Sequence, residues 1–192
     1  MIYSLDNATE LTSIDANRYR REVDETWWNF NSAFGGWAAA TAFSAIRSHA
    51  DCRGELLSLN AIFPKAIKAG TIEVKTNLLA RRAQSDFWRA EFFSEEAPDE
   101  VLVAFDIVMG RKRSPDEDSF EKILPDAPEP SSLSEMGEQD AGPAWLQHYE
   151  QRPFFGTPFT KNARPTSCVW VWHKDHRPID TKALIALSDT PM

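Results

Sequence analysis

The stretch Trp37–Ala50, WAAATAFSAIRSHA, constrains the fold more than any other part of the chain. Its first ten residues carry no charge, and its alanines give it high helix propensity. A helix that is apolar around its whole circumference is a buried helix. Fourteen residues make a rod about 21 Å long. Such a rod needs chain on every side, and small alanine side chains let neighbouring backbone come close. The 192 residues are enough for one generous domain, or for one domain and part of another.

The residues around the rod read as strands. Leu11–Phe30 alternates imperfectly and is read mostly as a strand, followed by a loop over Asn31–Gly36 with two adjacent glycines. Leu56–Ile67 is apolar and stops near Pro64. Thr71–Leu79 alternates, with Ile72, Val74, Thr76 and Leu78 on one face and Glu73, Lys75 and Asn77 on the other. Phe87–Phe93 alternates too, after a turn at Gln84-Ser85-Asp86, and Glu100–Met109 is apolar on both faces, as suits a central strand. Strand, buried helix, then four strands with hairpin turns predicts an α+β fold with a largely antiparallel sheet wrapped around the helix.

From Arg111 to Pro143 the composition turns charged and proline-rich, as in a linker or surface excursion. Trp145–Phe159 is aromatic-rich, and Ser167–Trp172 is a strong strand. A polar turn follows over His173–Pro178, and Asp180 is placed to cap a helix over Thr181–Leu187. Strand, turn and apolar helix thus begin a second time, with no strands after the second helix. The expected organisation is a first domain over 1–112, a linker over 113–143, and a truncated second domain over 144–192. A lone strand-helix unit cannot bury its own apolar face. The reading favoured is a fragment of a longer protein; the alternative is cover by another chain, that is, a homo-oligomer.

Composition excludes several classes. With 29 acidic against 21 basic residues the net charge is −8, which argues against a nucleic-acid partner. No apolar run approaches the roughly 20 residues of a membrane span. Met1–Glu10 has neither the basic start nor the apolar region of a secretory signal. Cys52 and Cys168 lie far apart with no metal-ligand spacing, which suggests a reduced, cytoplasmic protein. The 7 Trp and 12 Phe suggest broad apolar faces.

The segment Trp28-Asn29-Phe30-Asn31-Ser32-Ala33-Phe34-Gly35-Gly36-Trp37 before the Ala-rich helix resembles the first half of a double-hotdog thioesterase. The run from Leu56 to Phe93 is similar to the same family's strands, with its Phe, Pro, Gly and Arg-rich turn. Cys168–Trp172, Arg177–Asp180 and Leu184–Asp189 resemble the second hotdog. The resemblance implies a hotdog fold, an antiparallel sheet around a long central helix, followed by an incomplete second repeat. It implies an acyl-CoA thioesterase with no metal or redox cofactor. In acyl-CoA thioesterase II-type proteins a Ser-Asp pair near the end of the second helix contains the catalytic aspartate, and Asp189 stands in that place. The family pattern also has a Thr and a Gln in later strands, beyond the end of this chain.

The chemistry has a bland reading beside each sharp one. Asp189 is a general base for water, or a turn residue ahead of Pro191. Gly35 and Gly36 offer helix N-terminal amides to a thioester carbonyl, or only make a tight turn. Asn31, like Asn29, bonds a ligand carbonyl, or caps and stabilises the loop. Asp51 reads as an ordinary exposed residue. Arg81, Arg82, Arg89, Lys65 and Lys68 meet coenzyme A phosphates, or are solvated. His173 and His176 lie three apart on a turn with no third ligand, which disfavours a metal. No His flanks Phe34–Trp37, against dehydratase chemistry, and no G-x-S-x-G motif is present. The reading is an acyl-CoA thioesterase with water as nucleophile. The alternative is a non-catalytic acyl-CoA or lipid-like ligand-binding protein, or an inactive truncated subunit.

Overall fold

The computed structural model describes residues 2–111, 126–136, 142–156, 161 and 167–190. Most of the expected linker, residues 112–125 and 137–141, lies outside the described residues. The Ala-rich helix is present as α2, Gly35–Ser48. It starts two residues before the predicted boundary, so both glycines belong to its first turn. Trp37, Ala38, Ala40, Ala42, Ala45 and Ile46 are fully buried. Thr41, also buried, spends its hydroxyl on the carbonyl of Trp37 one turn back, at 2.8 Å.

Ten strands are described: β1 (Thr12–Ser13), β2 (Arg18–Val23), β3 (Trp28–Asn29), β4 (Ser32–Ala33), β5 (Glu55–Ile62), β6 (Gly70–Arg81), β7 (Ser85–Ser94), β8 (Val103–Gly110), β9 (Tyr149–Phe155) and β10 (Cys168–His173). Six form one sheet in the order β1-β2-β6-β7-β8-β5, with every pairing antiparallel. The period-two pattern does the sorting. Ile72 and Val74 of β6, Trp88, Ala90 and Phe92 of β7, and Val103, Phe105, Ile107 and Met109 of β8 are buried, and α2 packs on β6, β7 and β8. The strand predicted over Leu11–Phe30 is broken into β1, β2 and β3, with a 3-10 turn at Glu25–Trp27 capped by Asp24. After α2 the chain returns to the edge of the sheet as β5, beside β8. That crossover lays the helix across the sheet.

The later residues build on the N-terminal end of α2. Strands β9 and β10 pair antiparallel, and α3, Thr181–Leu187, packs against α2. Asp180 caps α3 as its sequence position predicts, accepting the Ala183 N–H at 2.8 Å. A short helix, α1 (Ser4–Ala8), has no counterpart in the sequence reading. It ties the two parts together. The Trp37 indole N–H donates to the Ala8 carbonyl at 2.9 Å, and the Ser4 N–H donates to Asp175 at 2.7 Å. Arg177, almost wholly buried, forks onto both carboxylates, Asp6 at 3.0–3.1 Å and Asp180 at 2.8–2.9 Å, and gives a fifth bond to the Pro178 carbonyl. Five donors meeting five acceptors is what makes a buried guanidinium tolerable.

This network sets an acid limit on stability. Hydrogen bonds from Arg177 hold the Asp180 carboxyl down at about 2, against an ordinary 3.8, and the Asp6 carboxyl, desolvated by burial, is nevertheless held low by Arg177 and Lys182. A carboxyl lowered in the folded state stabilises fully above its ordinary value and loses that contribution as pH falls toward the lowered one. The melting temperature is therefore expected to drop between about pH 4 and pH 2. Asp180→Asn is expected to lower it at neutral pH and flatten that drop, read by thermal melts across pH.

Candidate functional site

The N-terminus of α2 poses a local problem. The first amides of a helix have no partner within it. The residue at the N-cap position is Phe34, which has no side-chain acceptor to offer. The acceptor comes from the other end of the chain. Asp189, just past the last turn of α3, accepts the Gly36 N–H on its Oδ2 at 3.0 Å. The cap of the central helix is thus supplied by a residue 153 positions away.

The two glycines make this seat possible in different ways. A Cβ on Gly35 would lie 2.6 Å from Asp189 Oδ2, so the carboxylate occupies the room a side chain would fill. A Cβ on Gly36 would lie 2.4 Å from the backbone carbonyl oxygen of Ala186, so the bare Gly36 lets α3 close on α2. Asp189 keeps one side exposed to solvent while its Oδ2 faces the helix end. Burial of that inner side pushes its carboxyl up, and the Gly36 N–H opposes the push without cancelling it. Its neighbour Ser188 is committed elsewhere, its hydroxyl donating to the Ile185 carbonyl at 2.7 Å. The group can therefore hold an oriented water against an anionic oxygen at a helix N-terminus.

The structure brings Gly35, Gly36 and Asp189 together, and among the described residues no hydrogen bond joins Asn31 to them. Asn31 sits in the two-residue turn of the β3–β4 hairpin, exposed, and its backbone carbonyl accepts the Lys68 ammonium at 2.8 Å. Asn29 is in the same hairpin, paired with Ser32. Asp51 is exposed and accepts Arg81 on its carbonyl at 2.6 Å.

The basic residues considered for phosphate are largely spent inside the protein. Arg89 forks onto Asp106 at 2.8 and 2.9 Å, Lys65 pairs with Glu100, and Arg81 joins Arg53 on the buried Asp86. His173 is buried with neither ring nitrogen hydrogen-bonded among the described residues, and burial lowers its basicity. Its ring packs against Tyr149, with centroids 4.8 Å apart. His148 stacks on Trp27 at 4.1 Å and bonds Ser4 and Thr26. A cleft of about 630 Å³ lies at the other end of α2, lined by Asp6, Glu10, Arg47 and Lys182 among others. None of the residues singled out as the site lines it.

Sequence reasoning missed that Asp189 caps α2, and that Arg177 and Asp6 anchor the helix carrying it. Contacts across 153 and 171 positions leave no local signal. The one available clue was negative, a buried helix preceded by Phe34 where a capping residue belongs.

Residues 24–109 match the family model of the acyl-CoA thioesterase N-terminal domain. The chain is similar in structure to a hot dog fold protein of unknown function from Alicyclobacillus acidocaldarius, with a TM-score of 0.91 and 26% identity over 100% of this chain and 70% of that one. It is also similar to an acyl-CoA thioesterase II from Mycobacterium marinum, with a TM-score of 0.72 and 18% identity over 97% of this chain and 68% of that one. The TesB protein of Mycobacterium avium subspecies paratuberculosis gives 0.74 and 18%, over 98% and 69%. No curated protein matches the chain in sequence. The hotdog fold and the thioesterase resemblance read from the sequence are borne out.

The capping geometry separates two roles of one side chain. Asp189→Asn keeps an oxygen for the Gly36 N–H and is expected to leave thermal stability within about 0.5 kcal/mol of the parent. Asp189→Ala removes the cap and is expected to cost about 0.5–2 kcal/mol. Denaturant melts of the two variants check this.

Proposed function

Taking residues 24–109 as the acyl-CoA thioesterase N-terminal domain that they match, we propose that the protein hydrolyses the thioester of an acyl-CoA, with Asp189 as general base. One observation carries the reading: the residue that the family resemblance singled out sits, half-desolvated, on the amide of the two-glycine turn. In the proposed reaction a water lies against the free oxygen of Asp189. The carboxylate takes its proton as the water oxygen bonds to the thioester carbonyl carbon. The C–S bond then breaks, the sulfur leaves as thiolate and takes up a proton, and the products are the free acid and the thiol. The Gly36 N–H holds the second carboxylate oxygen, so the base keeps its direction. Gly35 belongs to the same unpaired first turn and offers its N–H to the carbonyl oxygen as charge develops there.

The chain division that goes with this reading is a first hotdog over 1–112 and the beginning of a second from about 144, which contributes α3 and its terminal aspartate. The base and the helix end it works against then come from different repeats. The reading as a soluble cytoplasmic enzyme rests on composition, and among the described residues no helix is long and apolar enough to cross a membrane.

Release of free thiol from short, medium and long acyl-CoAs tests the proposal. Asp189→Asn is expected to reduce kcat by about 10²–10⁴-fold, the share of a general base, without loss of fold. A base works only when ionised, and burial raises this one. The wild-type rate is therefore expected to fall on the acid side through a pKa above the ordinary 3.8. Tight acyl-CoA binding with no thiol release by the wild type would make the protein a binding module instead.

A further inference from the structure

Phe63 follows β5 and ends with half its surface, 51%, in solvent. Its position is more telling than its exposure, since single exposed apolar residues are common. The tip of its ring, Cζ, and the carboxyl carbon of Asp189 are both 3.4 Å from the point where a Gly35 Cβ would sit. The ring tip and the carboxylate therefore both border the space over Gly35. The backbone around the ring is held. The Lys65 N–H donates to the Leu102 carbonyl at 3.1 Å, the Ile67 N–H to the Ser32 hydroxyl at 3.0 Å, and the Ala33 N–H to the Ile67 carbonyl at 3.0 Å. The inner edge of the ring is rooted on fully buried Phe105, edge to face at 6.0 Å. The rest of the ring is open to solvent, at 51% exposure for the residue.

We propose that Phe63 is the wall on which the acyl chain of the substrate lies, and so a residue that sets acyl-chain preference. The proposal rests on the thioesterase reading above. A carbonyl carbon within reach of a water on Asp189 has the carboxylate and the Gly35 backbone on one side. An apolar surface that borders the same space is the Phe63 ring, whose Cζ lies 3.4 Å from the Gly35 Cβ position. A fixed, half-covered ring offers an acyl chain apolar area without first having to be ordered, which is what makes a contact select by length. The substrate class that fits is an acyl group without polar substituents, because the wall offers no polar partner.

The test uses the full chain as Phe63→Ala and Phe63→Leu, the second keeping an apolar contact with Phe105. Each is combined with Asp189→Asn and titrated calorimetrically with non-hydrolysable acyl-CoA thioethers of increasing length. The parent is expected to gain up to about fourfold in affinity per methylene over the lengths the ring covers. Phe63→Ala is expected to flatten that slope, and Phe63→Leu to fall between. An equal loss at every length, the shortest included, would make Phe63 a purely structural residue and overturn the proposal. So would an unchanged slope accompanied by a changed oligomeric state in sedimentation, which would show the ring to be covered by a second copy. Because binding needs no turnover, hydrolysis that survives Asp189→Asn would sink the mechanism and leave the length dependence as a separate result.

Discussion

A carboxylate at residue 189 meets the amide of residue 36, and much of the molecule is arranged around that contact. A helix as apolar as α2 gains by being buried all round, but burial takes water away from its end amides. Phe34 cannot replace that water. Asp189 does, and it arrives on a helix that comes close only because Gly36 has no side chain to meet the Ala186 carbonyl. The same contact therefore closes the fold and poses the chemistry.

Two aspartates at the two ends of α3 show how environment divides labour. Asp180 faces a buried arginine and the N-terminal amide of Ala183, and its carboxyl is held low. Asp189 faces one amide, and partial burial pushes its carboxyl up. A group surrounded by donors is locked as an anion and holds structure. A group with one donor and partial desolvation keeps basicity to use. Neither role is visible in the residue type. The anchor formed by Asp6, Arg177 and Asp180 sets where α3 begins, and seven helical residues later its end lies over Gly35 and Gly36.

The fold was legible wherever one side-chain period ran uninterrupted. The uncharged run from Trp37 made α2, the alternation from Ile72 made β6, and Asp180 before TKALIAL made the α3 cap. Legibility failed where neighbours in space were distant in sequence. Leu11–Phe30 was read mostly as one strand, because nothing local shows that the chain breaks at Asp24 to lay Trp27 beneath His148 and Tyr149. Helix α1 is five residues long, too short to carry a period, and is held in place by partners more than a hundred positions away. The arginines around the β6–β7 turn looked available as a string of letters. Asp51 and Asp86 pair with Arg81, and Asp106 with Arg89, once the sheet forms.

The Ser-Asp pair stood out only through the family resemblance; by itself the sequence determined that an apolar helix must be enclosed by an antiparallel sheet and that a two-glycine turn leads into it. Those features depend on residue type and short spacing, which a chain displays without folding. Only the tertiary structure decided that the glycines and the aspartate belong together, that Asn31 gives its carbonyl to Lys68, and that Phe63 and the carboxylate border the same space over Gly35. Those facts are distances between parts of the chain that local preferences do not link. They appear only when burial of α2 brings α3 and the end of β5 against the same helix terminus.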